Sequence, residues 1–322
     1  VEIKIFPYIP PPDFFRKRGE FLSTRFISAG KTGYSGASST DKILMQEIRE
    51  DTAQKEEQEK KVHLCQPDEH KSCGACCGLY NYRDNRRGVL AERLRRRTKI
   101  FTLLRDDPGR YRHEVAGLEG AKLYETIYNC EFLAFVDEEE KRVGCLLHPQ
   151  LNNGVDLRGI SFYGDALCRQ HLCPSHEKLT AREKGVVVRL LDDWYLYGLC
   201  ITDIDLVKTY LFHIQNALGE EFDPAQLDAT PALKRLMKGF FSWKGQWPFR
   251  REKALRFGKY YFLEGEYHIA RIDYGRLGLD PSPYDGIFLS LASEFRDRTE
   301  VSVAEGMVHD NIEGVIARYL TG

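Results

Sequence analysis

The sequence predicts an α+β fold, predominantly helical, in which a loop-rich cysteine region with a β-hairpin is followed by a mainly helical domain. Three observations carry this. Eight of the nine cysteines lie between Cys65 and Cys173, and Cys200 stands alone beyond them. Two short apolar runs flank a charged turn inside that cysteine-rich stretch, the pattern of a hairpin. After Leu179, helix caps and helical periodicity dominate. The 322 residues accordingly divide into an extended Pro-rich arm and polar helix (1–62), a cysteine-cluster domain (63–178) and a mainly helical domain with one β-hairpin (179–322).

The elements follow in order. Pro10-Pro11-Pro12 disfavours helix and suits an extended arm. Its aromatics, Phe6, Tyr8, Phe14 and Phe15, predict packing on a protein partner or on the chain's own domain. A helix is expected from Asp41 to Lys61, with its second half polar on every face. Another is expected over 88–105, with Leu90, Leu94, Phe101 and Leu104 on one side and Arg95, Arg96 and Lys99 opposite. Cys130–Val136 and Arg142–His148 read as strands joined around Asp137–Lys141. A hairpin centred near Glu139 puts Cys130 close to His148, with Cys145 a few residues in from the same open end. Residues 149–167 read as a Gly/Asn-rich loop. Thr180-Ala-Arg-Glu183 is a capping box opening a helix that continues through Trp194 and Tyr195. Thr202 or Asp203 caps the next, to about Leu218, and Pro231 opens a third. Tyr260–Asp273 reads as a hairpin turning at Glu264-Gly265, and Ser282-Pro283 and Ser302 start the last two helices.

Composition narrows the function classes. Lys and Arg total 47 against 48 Asp and Glu, a net charge of −1, so the surface as a whole is not built to bind nucleic acid or anionic lipid. Residues 83–112 carry a local charge of +7, which keeps a nucleic-acid groove as an alternative to a simple offset of acidic charge elsewhere. No uncharged apolar run approaches the ~18–20 residues of a membrane span. Val1-Glu-Ile-Lys-Ile-Phe-Pro-Tyr8 is interrupted by charge and does not read as a signal peptide; a start without Met leaves a removed leader open.

Clustered cysteines are disulfides in a secreted protein and metal ligands in a cytoplasmic one. Cys73-Gly-Ala-Cys76-Cys77 favours metal, because two residues between thiolates let both reach one ion across a tight turn. A cytoplasmic location follows. The candidate ligands are Cys73, Cys76, Cys77, Cys130, Cys145, Cys168 and Cys173, with Cys65, His70, His148 and His171 as secondary candidates. All-sulfur ligation suits zinc or iron, the latter including an iron–sulfur cluster. The count exceeds one four-coordinate ion, so two ions, one cluster with spare thiols and a dinuclear centre all fit it. Adjacent Cys76 and Cys77 point differently and either serve two metals or leave one packed structurally. Asp192-Asp193 reads as acids on a helix edge, and Asp203 and Asp205 as helix-start acids.

The segment His70-Lys-Ser-Cys73-Gly-Ala-Cys76-Cys77 resembles the motif of the bacterial YkgJ-type cysteine-cluster proteins, a zinc- or iron-chelating pattern C-x2-C-x2-C-C. The likeness continues in order through Cys130-Glu-Phe-Leu133, Gly144-Cys145-Leu-Leu147, Cys168-Arg169 and Cys173, over about a third of the chain. His70 stands where that pattern has its first Cys, and Cys65 lies five residues earlier. The Arg-Pro that precedes the Cys-Arg step in the family is missing. The resemblance implies a cytoplasmic metal-binding protein whose metal is at least partly structural. Flagellin lysine methylases carry a related cluster, which adds a metal-dependent redox or group-transfer enzyme as one alternative. A scaffold subunit docked through the N-terminal arm is the other. No phosphate-binding loop, nucleophile elbow or His-Glu-x-x-His motif is present, so catalytic residues are not assigned.

Overall fold

The computed structural model describes residues 63–251, 260–263 and 266–321, with the backbone alone for 260–263 and 266–269. The expected arm, with its aromatics and partner surface, and the polar helix to Lys61 lie outside these residues. The described residues belong to one compact unit, Val62–Gly322. The fold is predominantly helical, with two small antiparallel sheets. Among the described residues no helix is long and apolar enough to cross a membrane.

The cysteine region is built on α1 (Arg87–Leu104), α2 (Pro108–Ala116), β1 (Leu133–Phe135) and β2 (Val143–Cys145). Leu90, Leu94 and Phe101 of α1 are buried at helical spacing, and Arg97 is buried on the same face. Asp107 caps α2 by accepting from the Arg110 amide, with Pro108 at the first helical position. In the hairpin Leu133 pairs with Cys145 and Phe135 with Val143, a register centred on Glu139 as the charged turn predicts. The strands are shorter than the apolar runs, yet Phe132 also accepts from the Leu146 amide at 2.9 Å. Both hairpin faces are covered. Leu133, Phe135 and Val143 pack with Leu79, Tyr80, Leu90 and Leu94, whereas Phe132, Ala134 and Leu146 pack with Phe101 and Tyr111.

The stretch after Pro149 is more ordered than its Gly and Asn content suggests. Short 3-10 turns occupy Pro149–Leu151 and Arg158–Ile160, and Cys168 sits on the helix α3 (Gly164–Gln170). A single helical turn, α4 (Ser175–Lys178), follows. The capping box is present: the Thr180 hydroxyl accepts from the Glu183 amide, and the Glu183 carboxylate accepts from the Thr180 amide at 2.8 Å. It opens α5 (Ala181–Leu190), which stops short of the expected Trp194. The chain breaks because Asp193 takes an extended conformation and caps a new helix, α6 (Trp194–Ile201), accepting from the Leu196 amide at 2.9 Å.

Asp203 caps α7 (Ile204–Leu218), which ends at Gly219 in the left-handed region. After the short α8 (Gln226–Ala229), α9 (Pro231–Gln246) starts at its proline as expected. Strands β3 (Tyr260–Leu263) and β4 (Glu266–Ile269) form the second hairpin. The last two helices are α10 (Asp285–Ser290) and α11 (Arg298–Thr321). The last begins four residues before Ser302, because the Asp297 carboxylate accepts from the amides of Thr299 and Glu300. In this half α9 lies against α6 and α11, and α7 against α10 and α11. Fully buried Lys244 of α9 ion-pairs with Asp203 and donates to the Ser290 carbonyl at 2.7 Å, tying three helices with one charge.

Helix α6 belongs to two cores. Its Tyr197, Cys200 and Ile201 pack with the helical half, and its Trp194, Tyr195 and Leu199 pack with Tyr80, Leu90 and Phe135 of the cysteine region. Hydrogen bonds fix the contact. The Tyr80 hydroxyl donates to the Tyr195 carbonyl at 2.9 Å, Tyr195 donates to Asn85, and Tyr197 donates to Leu64. Gly198 makes room: a Cβ there would stand 2.2 Å from the Tyr80 oxygen. We expect Gly198→Ala to cost about 1–3 kcal/mol through overpacking, read as a lower urea midpoint. An unchanged midpoint would mean that Tyr80 does not key the two regions together.

Candidate metal centre

The loop carrying the first cysteines is pinned to the outer edge of β2. The Ser72 hydroxyl accepts from the Val143 amide at 2.6 Å, and the Gln66 side chain donates to the Val143 carbonyl at 2.9 Å. Within this loop the Cys73 amide donates to the Cys65 carbonyl at 2.9 Å, which sets those two residues side by side. Ala75–Cys77 then forms one 3-10 turn, closed by Gly78 in the left-handed region. Gly78 is sterically required as well: a Cβ would lie 2.5 Å from the Tyr128 carbonyl oxygen. That close approach lets the Cys130 amide donate to the Cys77 carbonyl at 2.9 Å. A pair of buried amides locks the segment ending at Cys130: Asn81 donates to the Tyr124 and Ile127 carbonyls and to Asn129, and Asn129 donates back to the Asn81 carbonyl.

All nine cysteines are free. The eight clustered ones act on one another in a definite pattern. Cys73 feels the charge of Cys65 and Cys173, Cys65 feels Cys173, and the Cys76 thiol hydrogen-bonds to Cys173. Cys77 feels Cys130 and Cys145 most strongly, then Cys65 and Cys168; Cys130 feels Cys145, and Cys145 feels Cys168. Cys76 counts as an exposed residue, although its sulfur is packed against Cys173.

Burial pushes the thiols up, Cys65 and Cys145 to about 11 and Cys130 to about 12, because a desolvated thiolate loses its hydration. Cys173 is displaced downward instead, chiefly by the hydrogen bond from Cys76. No three His, Cys, Asp or Glu side chains among the described residues close on one point as ligands around an ion would. Burial thus favours the neutral form at every cysteine displaced upward, and Cys173 is the exception.

The surroundings are nonetheless arranged for thiolate charge. The amide two residues after the cysteine lies near enough to the sulfur to favour its charged form at Cys73 (Ala75), Cys130 (Phe132), Cys145 (Leu147) and Cys173 (Ser175). Fixed cations add to this. Arg97, 2% exposed, donates to the Cys130 and Leu133 carbonyls at 3.0 Å, and its charge acts on the Cys130 thiol. Arg158, held by two bonds to Asp156, donates to the Cys168 carbonyl and acts on Cys145. Lys184 donates to the His176 carbonyl and lies within electrostatic reach of Cys173.

The histidines stand apart from this network. His70 is exposed beside Glu69, and His171 is exposed at the end of α3. His148 accepts from the Gln150 amide through Nδ1 and so caps a 3-10 turn. Cys200 is fully buried in the helical core, where its thiol donates to the Phe241 carbonyl. Asp192 lies exposed near Lys71 and Lys238, and Asp193 serves as a cap, so they are not a buried pair.

Sequence reasoning missed Arg97, whose place on the apolar face of α1 goes against its type, and Tyr163, which faces Cys77, Cys130, Cys76 and Cys168. Those thiols and burial raise the Tyr163 hydroxyl to about 12. Part of the excess charge of residues 83–112 is matched by acids outside the stretch, with Arg87 on Asp193, Arg95 on Glu140, Arg97 on Glu119 and Arg112 on Glu131. No protein-family model, curated protein or solved structure matches the chain, so its likeness to the YkgJ-type proteins rests on the cysteine motifs alone.

Arg97 supports the site through its bonds to the Cys130 and Leu133 carbonyls and its ion pair with Glu119. Arg97→Met is expected to lower stability by about 3 kcal/mol, the low end for breaking a buried pair, since Glu119 keeps some access to water. Urea denaturation checks this; a loss below about 1 kcal/mol would remove Arg97 from the account.

Proposed function

We propose that residues 63–178 are a metal-binding module of the YkgJ-like cysteine-cluster type, holding zinc or iron, and that the metal is at least partly structural. One observation carries the reading. Eight free thiols are gathered within a single region, and at four of them the backbone amide two places on favours the charged form of the sulfur. Neutral thiols have little need of such donors, whereas metal-bound thiolates are stabilised and oriented by them. Nine free cysteines also suit a reducing compartment, and the cytoplasm is the one this reading adopts.

The structural role follows from local architecture. Between Leu64 and Leu79 the described chain has a single 3-10 turn as its regular structure, and between Val115 and Leu133 it has none. Regular secondary structure supplies little of the order in these segments. Binding of a structural ion, worth on the order of 10–16 kcal/mol in small zinc sites, would offset the entropy of ordering them.

Anaerobic purification followed by elemental analysis tests the reading. Stoichiometric zinc or iron is expected, and a folded chain with neither would overturn it. For the structural role, Cys73→Ser is expected to unfold residues 63–178. Retention of the wild-type melting temperature after that change, with metal lost, would rule the role out.

A further inference from the structure

A stack of aromatic rings beside the cysteine region has no part in the metal reading. Phe162, just before α3, is 59% exposed, although a phenylalanine ring left in water forgoes most of the stabilisation that burial brings. The ring is nevertheless held in place. It stacks on Tyr128 with centroids 4.3 Å apart and planes 26° from parallel. Tyr163 braces both rings edge-on, at 5.3 Å from Tyr128 and 5.6 Å from Phe162. The Tyr163 hydroxyl donates to the Tyr128 carbonyl at 3.3 Å, and the Tyr128 hydroxyl donates to the Glu131 carboxylate. Tyr128 also belongs to the segment that Asn81 and Asn129 lock. Cations adjoin the stack from two elements. Lys122 Nζ lies 5.9 Å from the Tyr128 ring centroid, and the Arg83 guanidinium donates to the Lys122 carbonyl at 3.3 Å. Neither is ion-paired among the described residues. Arg112 of α2 donates to the Ile160 carbonyl, close in the chain to Phe162, and neutralises Glu131, the acid that Tyr128 touches.

We propose that the Phe162–Tyr128 stack is a docking platform for a base of a single-stranded nucleic acid, with Arg83 and Lys122 meeting the phosphates beside it. Ring and charge together point to that partner. An exposed ring, kept flat by a second ring behind it, matches the planar face that every unpaired base presents. Phosphates travel with the bases, and two cations without carboxylate partners complement them. An acidic protein segment would satisfy the cations and leave the ring without a flat partner. A proline-rich segment would satisfy the rings and leave the cations. The paired bases of a duplex show only their edges in the grooves, so the platform selects single strands. A net charge of −1 over the whole chain confines the attraction to this patch, and few phosphates take part. None of these side chains is a candidate metal ligand, so the proposal stands apart from the metal-binding reading.

Fluorescence anisotropy of a labelled oligouridine of about ten nucleotides, titrated with the full chain at about 50 mM salt, tests this. A saturable rise is expected, weakening as salt is added. Phe162→Leu keeps apolar bulk and removes the ring. It is expected to weaken binding about 5- to 150-fold, the range for one stacked base, whereas Phe162→Tyr retains binding. Arg83→Gln with Lys122→Gln is expected to make the slope of log affinity against log salt shallower by about 1.4. Phe212→Ala, at a ring 54% exposed elsewhere on the surface, is the control and leaves the affinity unchanged. Absence of binding, or equal affinity of Phe162→Leu and the wild type, would overturn the proposal. A duplex of the same sequence bound as tightly as the single strand would do so too. Displacement of the oligonucleotide by an equal concentration of polyglutamate or polyproline would instead mark a protein-binding surface and overturn it. Should a variant fail to fold, the wild-type comparison of single strand, duplex and peptides decides. Bound metal, measured on the same preparations, is expected to be equal in all variants, which separates a failure here from a failure of the metal-binding reading.

Discussion

Gathering eight thiols in one region sets the constraint to which the rest of this structure answers. A buried thiolate has lost its hydration, and its neighbours of like charge make matters worse, so the sulfurs of Cys65, Cys130 and Cys145 are driven toward the neutral form. Neutral thiols make weak hydrogen bonds and are poor organisers of a loop. The surrounding backbone compensates. It offers amides to four sulfurs and borrows rigidity from elements that need no metal, namely the β1–β2 hairpin, the Asn81–Asn129 amide pair and the Ser72–Val143 edge bond. These fix the backbone that carries the sulfurs.

The helical half supplies the second support. Helix α6 is short and almost wholly buried because it serves two cores at once. A conventional amphipathic helix has one apolar stripe. Here Trp194, Tyr195 and Leu199 face one side, and Tyr197, Cys200 and Ile201 the other. The Asp193 cap that separates α6 from α5 lets it take its own direction. Tyr80 locks the result by reaching over Gly198 to the carbonyls at the start of the helix.

What was legible in the sequence is what depends on near neighbours. The Thr180–Glu183 box, the hairpin centred on Glu139 and Pro231 at a helix start all follow from residues a few places apart. The misses have the opposite character. Asp193 reads as a polar-edge residue until its capping bond is seen, and a continuous apolar pattern hides the break. Arg97 on a helix full of arginines carries no local sign of burial, because its partners at Cys130 and Leu133 lie 33 and 36 residues away. The edge bond of Ser72 spans 71 residues. Residues 164–167 read as the end of a loop because the Gly and Asn before them mask the start of a short helix. Motif order could name the cysteines, but the grouping of their sulfurs depends on these long-range bonds.

Positive charge around the sulfurs is supplied in two ways. Beside Cys130 and Cys145 it is rigid: Arg97 is buried and tied to backbone carbonyls, and Arg158 is clamped by Asp156. Beside Cys173 it comes from Lys184 and from the amide and hydroxyl of Ser175 with the amide of His176. A guanidinium in a fixed fork holds geometry, whereas a single ammonium and a helix-start cluster of donors favour charge at one sulfur. Burial still outweighs the arginines at Cys130 and Cys145, which stay displaced upward, whereas the donors around Cys173, the Cys76 thiol foremost, displace it downward.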